Sequence, residues 1–233
     1  MEFLLPALGI LALLTVISLI IKEKSETLKY ILFGGMLTVI VGYTGYLAWS
    51  TISVNTNSIT KGPVHWHADF QIWNCGQRVD LINPTGWDNK IGTPLLHEHN
   101  DERIHVEGPV LAYKDITLGN FFKVIGGKME VGLLSIPTNS GVLTMMDGTD
   151  CSGQKASLQV FVYSTKEDTF RQQKLINPWD YVLSPHSGIP PGDCIIVERD
   201  KLKEKTDKIC TFYEIAKEKG EISDDEIFRR EKL

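Results

Sequence analysis

Two long stretches without a charged side chain constrain this chain before anything else does: residues 3–21 and 30–60 hold no Asp, Glu, Lys or Arg. About 20 apolar residues in a helix match the roughly 30 Å hydrocarbon core of a bilayer. Residues 3–21 and 30–50 therefore predict two spans, forming a transmembrane helical hairpin over residues 1–50. The first stretch has neither the basic start nor the small-residue cleavage site of a signal peptide. The loop between them carries Lys22, Lys24 and Lys29, whereas the far ends offer only Glu2 and the uncharged TISVNTNSIT. The positive-inside bias puts that loop in the cytoplasm, which predicts a multi-pass protein of the cell membrane with everything after Ser50 outside. On the second helix Gly34, Thr38 and Gly42 recur every four residues. Such a stripe lets a helix approach closely, either the first helix of the hairpin or a membrane protein partner.

The remainder is soluble in character and acidic. The first 50 residues carry equal numbers of acidic and basic groups, so the formal charge of −5 belongs to the rest of the chain, and nothing favours nucleic acid. What remains is enough for one sizeable core but short of the roughly 250 residues of an α/β barrel. Cys75, Cys151, Cys194 and Cys210 form no CxxC, which excludes a zinc ribbon or a thioredoxin-type pair. An even number of cysteines outside the cytoplasm fits disulfides. The turn-like contexts of Cys75 and Cys151 favour joining those two, and Cys194 with Cys210 would tie the charged tail to the last strand.

Pattern and turn residues give the organisation. Residues 51–62, rich in Ser, Thr and Asn, read as a linker. Residues 65–82 alternate like a hairpin turning at 74–77; His65, His67, Asp69, Gln71 and Trp73 share one face, while Trp66, Ala68, Phe70 and Ile72 share the other, the core face. A short helix follows at DITLGNFFKVIGG, with Asp115 or Thr117 as N-cap and Gly126 as its stop. Strands are predicted at 141–146, 157–164 and 194–198, with turns at 147–148 and 190–193. Together these predict an α+β fold, with a histidine-rich, β-grasp-like extracytoplasmic domain over 63–200. Residues 201–233, with much of the chain's charge, read as a solvated, partly helical tail, its last helix opened by a Ser223–Glu226 capping box.

The most informative cluster is histidine. Five of six fall within 41 residues, at His65, His67, His97, His99 and His105, and four form two HxH pairs. Residues two apart on a strand share a face at about 6.6 Å, a span from which two imidazoles converge on one ion. Neutral imidazoles suit zinc and copper alike. Carboxylates hold such rings by accepting the other N–H; Asp69, Glu98 and Glu102 are the candidates, with Asp101 and Glu107 also near. His105 is the least secure ligand, because a hairpin turning at Asp101–Glu102 pairs it with Glu98 and turns it away from His97 and His99. His186 reads as a loop residue.

Enzyme templates fit only in part. HWHAD matches the start of the metallo-β-lactamase motif, but Phe70 stands where its next histidine belongs. GTPLLHEHNDERIHVEG approaches the first cupin motif through Gly92, His97, His99, Glu102 and Gly108, without the second motif. Taken together, HWHADFQIWNCGQ, LHEHNDERIHVEG, TLGNFF and NPWDYVLSP…PPGDCIIVE resemble a family of membrane-anchored, histidine-rich extracytoplasmic proteins of ammonia-oxidising archaea, over residues 60–210. The resemblance implies a neighbourhood with the membrane copper monooxygenase of such organisms, whose complex has small accessory subunits.

The expected function is binding or delivery of copper or zinc at the outer membrane face. The alternatives are an accessory subunit with structural histidines and a small metal-dependent oxidoreductase or hydrolase. The topology has a direct test: protease added to intact cells reaches the Lys-rich C-terminal region, and protection of that region until the membrane is opened would reverse the orientation.

Overall fold

A computed structural model describes residues 3–151, 153–166, 169–183 and 192–224. The chain divides at Asn57 into a helical unit and a sheet-rich unit.

In the helical unit, α1 (Leu4–Ile20) and α2 (Glu26–Asn57) lie antiparallel. The Phe3 ring meets Tyr46 edge-on at 5.3 Å, and Leu14 would touch a Cβ placed on Gly35 at 3.4 Å. Helix α2 is long and apolar enough to cross a membrane; α1, with 17 residues, is a shorter apolar helix. Most of their large apolar side chains face outward. A Cβ on Gly34 or Gly42 would meet nothing within 4 Å, while Thr38 and Gly42 line a groove with Pro6, Ala7 and Ile10 of the first helix.

The expected linker at 51–62 is corrected, because α2 continues through Asn57. Its polar side chains bond back to the preceding turn of the helix. Thr56 Oγ1 donates to the Ile52 carbonyl (2.9 Å), and Asn57 Nδ2 to that of Ser53 (2.8 Å).

The second unit is α+β. It opens with β1 (Pro63–Asn74), β2 (Gln77–Val79), β3 (Ile91–Gly92), β4 (Leu96–Glu98) and β5 (Arg103–Pro109), followed by α3 (Leu118–Val124). Next come β6 (Lys128–Glu130), β7 (Leu133–Thr138), β8 (Gly141–Met146), β9 (Asp150–Cys151) and β10 (Gln154–Lys155). The chain then continues through β11 (Ser157–Lys166), β12 (Thr169–Lys174), β13 (Asp193–Asp200), α4 (Thr211–Glu218) and β14 (Ser223–Asp224). The main sheet runs β14-β12-β11-β13-β1-β5-β4-β3, with β2 also paired to β1. Strands β1 and β13 are parallel at its centre, whereas β1–β5, β11–β13 and β4–β5 are antiparallel. A second sheet, β6-β7-β8, joins α3 in covering the first core.

Local chemistry explains the hairpin after β1. Cys75 and Gly76 both have positive φ (52° and 78°), as a two-residue turn matching the strand twist requires. Thr117 caps α3 by accepting from the Asn120 amide, and Gly126, at φ 89°, stands just beyond the helix end.

The sheet buries both faces. Ala68, Phe70 and Ile72 of β1 pack with Ile104, Val106, Phe121 and Phe122 in one core, the face expected from the alternation. On the other face, Phe161, Tyr163 and Ile196 pack beneath Tyr213 and Ile222. The solvated tail is thus corrected too. Cys210, Tyr213, Ala216 and Ile222 are buried; α4 turns Tyr213 and Ala216 inward and leaves Glu214, Lys217 and Glu218 exposed. Thr206 donates to the fully buried Glu198 carboxylate, which also accepts from Lys203 Nζ (both 2.8 Å). Ser223, expected to cap a last helix, lies in β14 beside Thr169; Glu226 lies outside the described residues, as do Pro190 and Pro191 of the predicted turn.

Cys75 is bonded to Cys151 and Cys194 to Cys210, and no cysteine among the described residues is free. The first bond ties the β1–β2 turn to β9, and the second ties the tail to β13.

Phe121 is fully buried and its ring contacts that of Phe70 at 5.4 Å. Phe121→Ala is expected to cost about 3–5 kcal/mol, read as a lower urea midpoint by near-ultraviolet circular dichroism of the full chain in detergent.

Candidate metal centre

The site is built by strand register. His67 of β1 stands opposite His105 of β5, and His105 stands opposite His97 of β4. Directly opposed residues point to the same face, so three imidazoles form a row across three strands. His65 lies two residues before His67, on the same face. His99 follows β4, and its ring reaches back to 4.8 Å from those of both His97 and His105.

The expectation for His105 is overturned. The turn is centred on Asp101, which pairs position 105 with 97 instead of 98. Asn100 and Glu102 adopt positive φ (65° and 61°), and the Asp101 amide donates to the Glu98 carboxylate at 2.8 Å. The extra residue in the loop shifts the register by one, which moves a side chain to the opposite face. His105 is therefore the centre of the cluster. Its ring lies 4.6 Å from His67, 5.4 Å from His97 and 6.4 Å from His65.

Three rings are fixed by an acceptor. His97 Nδ1 donates to the Thr93 carbonyl (3.1 Å) and His99 Nδ1 to the Asn89 carbonyl (2.7 Å). His105 Nε2 donates to Asp101 Oδ2 (2.9 Å). A carbonyl or carboxylate oxygen only accepts, so each bond fixes a tautomer and leaves the other ring nitrogen with its lone pair. Gly92, opposite His97, lets the edge strand come this close: at φ 115°, a Cβ there would lie 2.5 Å from the Leu96 carbonyl oxygen.

Of the carboxylates chosen from the sequence, none is the one that orients a ring. Asp69 pairs with Arg103 (2.9 Å), whose guanidinium lies 3.6 Å over the Phe212 ring. Glu98 turns to the other face by alternation and accepts the Asp101 amide. Glu102 pairs with Arg78 and accepts from Thr211 Oγ1. Asp101 holds the His105 ring instead, and two backbone carbonyls that no sequence pattern announces hold His97 and His99. His186 lies outside the described residues.

Burial favours the neutral form of two of the rings. Burial, reinforced by His105, His65 and Arg103, pushes His67 down to about 4. Burial also lowers His97, against the pull of Glu107. Burial pushes Asp69 up to about 7, opposed by Arg103. Asp101 is lowered: its burial, the largest influence, would raise it, but the hydrogen bond and charge of His105 together with the Arg103 amide outweigh it. Neutral imidazoles beside ionised acceptors are the state that ligation needs.

The histidines form two groups that can hold a metal ion: His65, His67 and His105; and His97, His99 and His105. Within each, the candidate donor atoms lie within 4.8 Å of one another. With every described cysteine in a disulfide, the donors are nitrogen, which suits zinc, copper, nickel or iron and excludes thiolate centres. Comparison with protein-family models, curated proteins and solved structures gave no match.

Protonation gives a test on the metal-free protein. His67 is lowered in the folded state, so its contribution is complete above about 6.5 and is lost as pH falls towards 4. Asp69 is raised and acts oppositely, with stability lost as pH rises from about 4 through 7. His67→Gln is expected to remove the acid-side loss and Asp69→Asn the loss towards neutrality, both read from urea midpoints across that range.

Proposed function

We propose that this is a membrane-anchored, extracytoplasmic protein that binds a transition metal, copper or zinc, and holds it for delivery. The observation that carries this reading is the row His67–His105–His97, flanked by His65 and His99, with three of the five tautomers fixed by acceptors. Such second partners accompany metal-bound histidine. The two disulfides support an oxidising location, and α2 supports an anchor. In this reading α1 crosses beside α2 as a second span, and the chain belongs with the histidine-rich family of ammonia-oxidising archaea that its motifs resemble. The sheet is read as β-grasp-like, supported by its central parallel pair, the flanking antiparallel strands and α3 after β5. That likeness carries no function.

Two narrower readings each have one supporting observation. Gly34, where a Cβ would meet nothing within 4 Å, favours an accessory subunit seated against another membrane protein, such as a copper monooxygenase. Three-histidine groups favour a metal-dependent oxidoreductase or hydrolase, because a fourth position stays open for water.

Protein purified in detergent, loaded with zinc or copper and dialysed at neutral pH, is expected to retain metal. Acidification through about pH 6 should release it as imidazoles protonate. His99→Ala should lower occupancy while His186→Ala does not. Metal analysis showing no retention by the parent protein would sink the proposal.

A further inference from the structure

The five imidazoles divide into two groups of three that share one ring. His65, His67 and His105 form one group and His97, His99 and His105 the other. Three imidazoles are a sufficient protein ligand set for a zinc ion with one open position. The two groups differ in access. The His65 side chain is 62 % exposed, whereas that of His97 is 1 % exposed. His105, shared by both, is buried.

His105 limits how many ions can be held. Its Nε2 is committed to Asp101 Oδ2 at 2.9 Å, so the ring keeps one lone pair, on Nδ1. One lone pair binds one ion. Two complete three-histidine centres would require His105 to surrender its bond to Asp101 and become a bridging imidazolate. Aspartate favours the opposite, because it stabilises the N–H it accepts.

On the reading that this cluster binds metal, we infer that the two groups are alternate stations for a single divalent ion. The outer station, His65–His67–His105, captures the ion from solvent, and the inner station, His97–His99–His105, retains it. His105 stays bound through Nδ1 while metal–nitrogen bonds to His65 and His67 break and bonds to His97 and His99 form. The imidazoles are neutral throughout and the ion keeps its charge, so the exchange needs neither electron nor proton. The arrangement makes the protein a relay with an entrance and a store rather than a two-ion centre.

The test uses the full chain in detergent with zinc alone as probe. The parent protein should retain a single zinc ion per chain after dialysis, even when loaded with excess. The double variant His65→Ala/His67→Ala should retain that ion but take it up more slowly from a zinc–chelator buffer. His97→Ala/His99→Ala should take zinc up as fast as the parent and lose it on dialysis. His105→Ala should lose retention altogether. Should His105→Ala not fold, the parent stoichiometry and the contrast between the double variants still decide. Two retained ions in the parent, or double variants alike in uptake and retention, would overturn the relay and leave metal binding standing. A parent that retains no zinc would overturn the metal reading itself.

Discussion

The pairing register of β1, β5 and β4 is the constraint on which the site depends. It sets His67, His105 and His97 directly opposite one another. Because side chains alternate along a strand, a slip of one residue in either pairing would send part of the row into the apolar core. The register is itself held on that other face, where Ala68, Ile104, Val106 and Leu96 are buried beneath α3. The hydrophobic face thus fixes where the imidazoles stand.

Around this row the polar groups divide the labour. Asp101 carries the ring hydrogen bond of His105 and Glu107 lies 3.1 Å from His65 Nε2, while Asp69 is occupied by Arg103. The Asp69–Arg103 pair and the Phe212 ring over it stand beside the row. There β1 passes from the histidines into the second core, under α4. A buried pair of this kind contributes little net stability but is costly to break. Its place here gives β1 a polar boundary between the histidine row and the packing residues.

The tail shows how charge can conceal packing. Its lysines and glutamates suggest a solvated appendage, yet Tyr213 and Ile222 cover β11 and β13, and Cys210 is bonded to Cys194. The Thr206 and Lys203 contacts to Glu198 fasten the segment before α4. A few apolar residues at helical spacing, with one covalent bond, are enough to make a charged segment part of a core.

The sequence by itself determined what depends on local period and residue chemistry. Alternation separated His65 and His67 from Ala68 and Phe70, Cys75-Gly76 marked the turn, Thr117 and Gly126 bounded α3, and two uncharged stretches marked the apolar helices. These are one-dimensional signals, since each depends on neighbours within a few residues. Tertiary structure decided the centrality of His105, because loop register is set by the positive-φ turn at Asn100 and Glu102 and by burial on the far face. It also decided which acceptors hold the rings. The Thr93 and Asn89 carbonyls carry no side-chain signature, and Asp101 rather than Glu98 faces His105 only in the observed register. Histidine spacing in the sequence supplied the ligands, and the folding of three strands onto one core decided how they meet.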